Sequence, residues 1–200
     1  ANLVQRVHGL DALVIHSDDD NVGDRGFGIG GAEAVEGVVG DAVEPSNLNR
    51  QILYGESDVG GPKAPTAARR LTGFNSRIGL EPIQRMLASE REVREVVRGA
   101  DFVVDAADQP VHEIERWVNA ACFGAGVPYI TMSQFPPLVR VGPVYVPGRT
   151  GCYACQEAGW RARFPLFDEL ASHRSARPSP AASFAPASGL VGSLVALEVV

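Results

Sequence analysis

Short apolar runs alternate with longer stretches of helical periodicity along most of the chain. Apolar runs of this length are typical of buried strands, and strands that alternate with helices usually build a parallel sheet. The pattern therefore predicts a Rossmann-like α/β domain, with a mostly parallel sheet and helices on both faces. The predicted strands are Asp11–Ile15, Ala34–Val39, Leu80–Gln84, Asp101–Asp105, Val127–Thr131 and Val139–Val146, the last of which alternates like an antiparallel edge strand.

Helical spacing predicts four helices between the strands. In Glu90–Arg98 three valines recur on one side of the predicted helix, so that side faces the core. The predicted helices are Lys63–Asn75, Glu90–Arg98 (inward Val93, Val96 and Val97), Ile114–Ala125 and Ser188–Val200, the last packed on the sheet.

The remaining segments are expected to form one domain with an extension. Residues 1–150 would form the Rossmann-like domain, and residues 151–200 an extension of the same domain. Within this extension the proline-containing stretch Arg161–Ser183 predicts a mobile loop.

Composition narrows the classes of function. A chain of 200 residues is long enough for one substantial core. A net charge of -6 argues against nucleic acid as a partner, because phosphate backbones bind to concentrated basic faces. No apolar stretch approaches the roughly 18 residues of a membrane span, and no signal peptide opens the sequence. We therefore expect a cytoplasmic protein, without a nucleic-acid or membrane partner.

The polar segment from Asp41 to Lys63 carries the densest candidate chemistry. Lys63 is the only lysine in the chain, whereas seventeen other side chains are arginine. It follows a Gly-Gly pair at the predicted start of a helix. An ammonium there can sit beside a phosphate as a point charge, and the guanidinium of Arg50 can bind two phosphate oxygens. This combination favours a phosphate-binding site over an ordinary solvated loop.

The same segment resembles a known family. The string D-x-V-E-x-S-N-L-N-R-Q from Asp41 to Gln51, followed by V-G-x-x-K-A, is similar to the signature of the ThiF/MoeB adenylyltransferases, relatives of the ubiquitin-activating enzymes. The resemblance extends to Val200. It implies a homodimer that uses ATP and Mg²⁺ to adenylate a carboxylate on a peptide or a small, ubiquitin-like carrier protein. The sequence of Trp117–Pro128 resembles that of ThiF-like proteins from modified-peptide biosynthesis, which favours a ribosomal peptide as the substrate.

The resemblance also implies roles for individual residues. The loop after Asp101–Asp105 matches a family motif whose second acid lies near the metal, so Asp108 would hold Mg²⁺; capping of the next helix is the alternative for this residue. Catalysis would rest on positioning and electrostatics, without a protein nucleophile. The implied catalytic residues are Arg50, Lys63 and Asp108, and the implied nucleotide-binding residues are Asp41, Asn47, Arg50, Gln51 and Lys63.

Two features depart from the family pattern. Members carry G-x-G-G-x-G directly after the first strand, where this chain has the acidic segment His16–Asn21 and a later glycine-rich stretch, Gly26–Gly31. The family's ribose-binding acid is replaced by Val39. An altered stretch of sequence, a real divergence and a decayed ATP site all remain possible explanations. The alternative function is accordingly a non-catalytic ThiF-like scaffold that binds a precursor peptide; a dinucleotide-dependent oxidoreductase is the third candidate.

The cysteines divide into a pair and a single residue. Cys152 and Cys155 form a C-x-x-C motif, which is found in zinc sites and redox pairs and also arises by chance. The resemblance implies that they bind Zn²⁺ together with a second C-x-x-C pair, expected beyond Val200. Cys122 lies in an apolar run and is expected to be a buried, inert thiol.

Overall fold

The computed structural model describes residues 12–17, 32–76, 79–135, 138–176 and 185–199. Within these ranges six strands form one sheet, in the order β3-β2-β1-β4-β5-β6. The strands are β1 (Ala12–Ser17), β2 (Ala32–Val38), β3 (Gly79–Ile83), β4 (Phe102–Asp105), β5 (Tyr129–Phe135) and β6 (Leu138–Tyr145). The helices are α1 (Lys63–Phe74), α2 (Glu90–Val97), α3 (Glu113–Ala125), α4 (Tyr153–Arg163), α5 (Phe167–Ala176) and α6 (Ala185–Val199).

The sheet is mixed in its strand directions. β2 pairs with β3 and β4 pairs with β5 in parallel, whereas β1 is antiparallel to both β2 and β4. β6 is antiparallel to β5, as its alternating pattern predicts. The prediction of a mostly parallel sheet is therefore wrong for the pairings of β1. A parallel neighbour needs a crossover connection, usually a helix, and His16–Gly31 has no helical periodicity.

Hydrophobic residues on the two faces of the sheet build two separate cores. Neighbouring residues of a strand point to opposite faces, so Val38 belongs to one core and Val39 to the other. The first core contains Val39 and the buried side of α6, and the second contains Val38, the valines of α2 and the inner face of α3. The predicted helix-covered sheet and the inward valines of α2 are thus confirmed. In the described part of the chain no helix is long and apolar enough to cross a membrane.

One segment differs from its prediction as a loop. Arg161–Ser183 contains the end of α4 and the whole of α5, and residues 177–184 of it lie outside the described ranges. Pro165 precedes α5 and Pro178 follows it, so the ten residues of the helix contain no proline. The prolines therefore bound a helix instead of preventing one.

Candidate active site

The candidate site lies where the carboxyl ends of β2 and β4 meet one side of the sheet; this side is the edge meant below. Ala12 of β1 pairs with Val38 on one side and with Asp105 on the other, so the two strands end level with each other. Strands in a sheet lie about 4.8 Å apart, which places these two ends about 10 Å from each other. The loop with Asp41 and the loop with Asp108 leave from this edge, where α/β proteins bind their ligands.

Lys63 is held at this edge by Asp41. Its backbone N–H donates to the Asp41 carbonyl at 3.0 Å, and its Nζ donates to Asp41 Oδ2, also at 3.0 Å. The side chain of Lys63 is 7% exposed, whereas that of Asp41 is 50% exposed. The single lysine is therefore fixed as a buried cation whose carboxylate partner faces solvent.

The side chain of Gln84, which the sequence analysis did not identify, stabilises the contact between Asp41 and Lys63. It follows β3, and its Nε2 donates to the Asp41 carbonyl at 2.9 Å. Its Oε1 accepts a hydrogen bond from the backbone N–H of Ala64 at 3.1 Å. One amide thus joins the loop after β2 to the first turn of α1. The partners lie twenty and forty-three residues away, so no local motif could have revealed this role.

Arg50 presents a cation that no described carboxylate pairs with. Its Nη1 donates to the Ser46 carbonyl at 2.8 Å and to Asn49 Oδ1 at 3.1 Å. Among the described residues it forms no ion pair. These two bonds fix the guanidinium against its own loop and leave its other N–H groups to bind an anion.

The loop that carries Arg50 is shaped by Asn47 and ends at Gln51. Asn47 is buried; its Oδ1 accepts from Glu44 N–H at 3.1 Å, and its carbonyl accepts from the N–H groups of Arg50 and Gln51. Its side-chain oxygen is therefore occupied within the loop. The Gln51 Oε1 atom is shielded from water and has no hydrogen-bond partner among the described residues. Gln51 thus retains an unused polar atom beside Arg50.

Asp108 lies in the electrostatic field of the other site residues. Partial removal from water raises the pKa of the Asp108 carboxyl above its usual range, and the negative charge of Asp41 raises it further. Lys63 and Arg50 act in the opposite direction. The structure therefore brings together the Asp41, Arg50, Lys63 and Asp108 positions that the sequence proposed. Two mutually repelling carboxylates beside two cations are a suitable environment for a hard divalent cation and a phosphate.

Asp58 anchors the loop that leads into Lys63. Its side chain is 5% exposed and accepts hydrogen bonds from Gly55 N–H at 3.0 Å, Arg69 Nη2 at 2.8 Å and Arg70 Nη2 at 2.7 Å. Its carbonyl accepts from Gly61 N–H, just before Lys63. The sequence showed Asp58 as part of a polar segment but did not indicate this structural role.

We expect the Asp58 contribution to stability to depend on pH. The Gly55 N–H and the Arg70 side chain lower the pKa of Asp58, so its stabilising effect is present above the unfolded value near 3.9 and is lost as the pH falls through the lowered value. Urea unfolding of the wild type and of Asp58→Asn should differ at pH 7 and converge below about pH 4. Glu56→Gln, in the same turn, is the control. A difference between wild type and Asp58→Asn that does not change with pH would contradict this role.

Both departures from the family pattern have structural counterparts. β1 ends at Ser17, opposite Ala32, at the edge where β2 and β4 begin. The chain therefore leaves β1 at the edge opposite to Asp41 and Asp108; residues 18–31, with most of the acidic segment and the whole glycine-rich stretch, lie outside the described ranges. Val39 is fully buried in the first core. It has no polar group and does not reach the surface, so it offers a nucleotide no hydrogen bond.

The cysteine pair has a geometry compatible with metal binding. Cys152 Sγ lies 3.6 Å from Cys155 Sγ at the start of α4. Two thiolates on one tetrahedral zinc ion lie about 3.8 Å apart, from zinc–sulfur bonds of about 2.3 Å. Burial opposes ionisation of Cys152, but hydrogen bonding with the backbone and side chain of Cys155 outweighs it and lowers the pKa of Cys152. Within the described ranges no group of three or more potential metal ligands occurs.

Cys122 has the opposite environment. It is fully buried in the second core, and burial raises the pKa of its thiol well above the usual range. A protonated thiol without access to solvent is a poor nucleophile. Its position agrees with the prediction of a buried, inert cysteine.

Comparison with known proteins supports the resemblance seen in the sequence. The sulfur carrier protein ThiS adenylyltransferase of Escherichia coli K12 is 33% identical over 160 residues, covering 80% of this chain and 58% of that protein. The SAMP-activating enzyme E1 of Haloferax volcanii is 38% identical over 112 residues, covering 52% of this chain and 40% of that protein. The crystal structure of E. coli MccB with ATP has a TM-score of 0.71 and 33% identity, covering 86% of this chain and 48% of MccB.

The chain thus spans about half the length of these relatives. The ThiF family profile matches residues 31–200, which begin just before β2. This range includes the loop with Arg50 and Lys63, the strand that precedes Asp108, and the cysteine pair. This chain therefore belongs to the ThiF family.

Proposed function

We propose that this protein catalyses the ATP-dependent adenylation of a carboxylate on a peptide or small carrier protein. The observation that carries the proposal is the convergence of Asp41, Arg50, Lys63 and Asp108 at the edge where β2 and β4 end. Two cations and two carboxylates at this edge fit a metal-bound polyphosphate. The adenylyltransferase names of several relatives and the ATP-bound structure of MccB support the same reaction.

In the proposed reaction a carboxylate oxygen of the acceptor attacks the α-phosphorus of ATP. A carboxyl–phosphate anhydride bond forms, the bond from the α-phosphorus to the bridging oxygen breaks, and pyrophosphate leaves with that electron pair. Lys63 and Arg50 neutralise charge on the phosphates, and Gln51 orients them by donating from its side-chain N–H groups. Asn47 acts mainly by holding the loop of Arg50. These residues lower the barrier by positioning and charge stabilisation.

Magnesium fits the residues at this edge. The Asp108 side chain is exposed, but partial desolvation and the neighbouring charge of Asp41 raise its pKa, so a bound cation would stabilise its ionised form. Asp108 would hold the metal, with most of the remaining ligands supplied by phosphates and water. Bound Mg²⁺ shields the charge of the phosphates. Asp41 stays paired with Lys63 and fixes that side chain.

The experiment that tests the proposal combines Mg-ATP binding by calorimetry with ATP–pyrophosphate exchange in the presence of candidate acceptors. We expect binding in the micromolar range and exchange that depends on an acceptor carboxylate. Peptide binding without any affinity for ATP would contradict adenylation. That outcome would favour the alternative, a scaffold that presents a precursor peptide to a partner enzyme; the absence of a glycine-rich motif directly after β1 is the observation that supports it.

A peptide is the preferred acceptor. MccB, which covers 86% of this chain at 33% identity, has been crystallised with MccA. The sequence Trp117–Pro128 also resembles that of ThiF-like proteins from modified-peptide biosynthesis. Several relatives are named as adenylyltransferases of sulfur carrier proteins, so a small carrier protein is the second candidate acceptor. We further propose a homodimer located in the cytoplasm. Size-exclusion chromatography with light scattering tests the dimer.

We also propose that Cys152 and Cys155 bind zinc, with two further ligands from the second cysteine pair that the resemblance implies. Metal analysis of the full-length protein should then find zinc, which the double change Cys152→Ser and Cys155→Ser removes. Cys122→Ala is the matched control and should retain the metal, because Cys122 lies in the core. Zinc content that is unaffected by the double change would contradict this assignment.

A further inference from the structure

A single amide, the side chain of Asn119, connects the cysteine pair to the interior of the protein. Asn119 belongs to α3, and its Oδ1 accepts a hydrogen bond from the backbone N–H of Tyr153 at 2.9 Å. The same oxygen accepts from the hydroxyl of Tyr129, on β5, at 3.1 Å. Tyr153 follows Cys152 directly and is the first residue of α4. The amide therefore lies beside the turn that carries both cysteines.

These two bonds fix which way the amide of Asn119 points. A backbone N–H can only donate, so the N–H of Tyr153 must face the oxygen of the amide and not its NH₂ group. The Tyr129 hydroxyl is a second donor to that oxygen, and it stays protonated because burial raises its pKa well above the usual range. With Oδ1 occupied by two donors, the Nδ2–H groups are the part of the amide that remains for other partners.

Cys152 is the partner of this amide. Burial opposes ionisation of the Cys152 thiol, whereas hydrogen bonds with Cys155, with the backbone of Ala154 and with the Asn119 side chain favour it and lower its pKa. A bond from Asn119 that favours the thiolate is one in which the amide donates, which agrees with the orientation set by its oxygen. The thiolate is the form of cysteine that binds metals.

The turn of the two cysteines is anchored on one side and open on the other. Tyr145 of β6 stacks on Tyr129 with ring centroids 4.8 Å apart, and its hydroxyl donates to Gln156 Oε1 in the first turns of α4. The core thus holds this turn from below. Cys152 is partly exposed and Cys155 is exposed, so a metal ion can reach both sulfur atoms from solvent.

We propose that Asn119 is a positioning residue of the zinc site, whose amide fixes Cys152 and donates a hydrogen bond to the thiolate that binds the metal. The distance of 3.6 Å between the two sulfur atoms already fits two ligands of one tetrahedral ion. An N–H donor withdraws part of the negative charge of a thiolate and so stabilises a site built from thiolates. Contacts of this kind orient metal ligands, and their loss typically weakens metal binding about 10–100-fold. The inference rests on the proposed zinc site and is independent of the adenylation.

The test measures the zinc affinity of the full-length protein by competition with a chelator. Asn119→Asp keeps an oxygen for the two donors that Oδ1 now accepts from, but it replaces the donor to Cys152 with an acceptor. We expect the zinc affinity to fall about tenfold to a hundredfold. Gln156→Glu is the matched control, because it adds the same charge near the cysteines and keeps its oxygen for Tyr145. Its zinc affinity should change much less.

Cobalt distinguishes positioning of the thiolate from a merely structural role. In the Co²⁺-loaded protein, loss of an N–H donor raises the energy of the sulfur electrons. The sulfur-to-cobalt charge-transfer band of Asn119→Asp should therefore move to longer wavelength and keep its intensity. Asn119→Leu, which removes the whole amide, should show the same shift. Urea unfolding of the metal-free variants measures the stability of the fold separately, since a merely structural role would lower that stability and leave the band in place.

The outcomes separate this role from the proposals on which it rests. A zinc affinity and a charge-transfer band that match the wild type in Asn119→Asp overturn the role of Asn119. An equal loss of affinity in Gln156→Glu also overturns it, because the added charge alone would then explain the result. If the full-length wild type holds no zinc, the proposed metal site fails and this role fails with it. ATP–pyrophosphate exchange tests the adenylation separately, so its failure cannot be confused with either result.

Discussion

Replacing Lys63 with methionine should lower acceptor-dependent ATP–pyrophosphate exchange by about a hundredfold to a thousandfold, the range observed when a preorganised charge or donor is removed from a transition state. The substitution retains the length of the side chain but removes the only buried ammonium at the edge where β2 and β4 end. It also leaves the Asp41 carboxylate unpaired, where it would repel the phosphates. Acceptor peptide binding should persist, because the variant changes only the nucleotide side of the site.

A double variant separates these two effects. Asp41→Asn removes the repelling charge, so Lys63→Met with Asp41→Asn would regain activity if the stray carboxylate caused the whole loss. We expect the double variant to remain strongly impaired, since the positive charge at the phosphates is still missing. Exchange at the wild-type rate in Lys63→Met would rule out the role proposed for this lysine.

Asp108→Asn should lower exchange about a hundredfold at limiting Mg²⁺ and weaken the dependence of the rate on Mg²⁺ concentration. An asparagine keeps the shape of the side chain but loses the negative charge that would hold the metal. The N-cap residue of α3 is His112, so the alternative role of Asp108 as a helix cap is wrong. Glu113→Gln, in the first turn of α3, is the matched control. Equal Mg²⁺ dependence in Asp108→Asn and the wild type would contradict a metal-binding role.

The wild-type reaction should also show the raised pKa of Asp108. The carboxylate binds Mg²⁺ only when ionised, and partial desolvation together with the charge of Asp41 makes its proton harder to remove. The rate should therefore fall, as the pH is lowered, at a higher pH than an ordinary aspartate near 3.9 would give. Higher Mg²⁺ concentrations should move this fall to lower pH, because the metal competes with the proton. The Asp108→Asn variant should lack this dependence.

Local patterns in the sequence were sufficient for much of the fold. Apolar runs located the strands because each buried strand must present several consecutive hydrophobic residues, and the three valines of α2 face the core as their spacing predicts. Arg50 and Lys63 could be proposed as site residues because one continuous motif contains both. Asp108 could be proposed because its loop matches a family motif and follows the end of a strand, where this class of fold binds ligands.

Long-range contacts were not predictable in the same way. Gln84 braces the Asp41 loop through bonds to distant backbone groups, and nothing in its own neighbourhood distinguishes it from a surface glutamine. Asp58 likewise depends on two arginines that come from the next helix. The direction of β1 was also missed, because the hydrophobic pattern of a strand is the same in either direction. Only the segment that connects two strands decides whether they run parallel.

β1 sets the geometry of the candidate site although it carries none of the proposed site residues. It separates β2 from β4 and alone provides the hydrogen bonds that join the two halves of the sheet in the described structure. Ala12 pairs with the last residue of each neighbour, so β2 and β4 end level with each other. A slip of β1 by one residue against either neighbour would therefore displace the loop of Asp41 relative to the loop of Asp108.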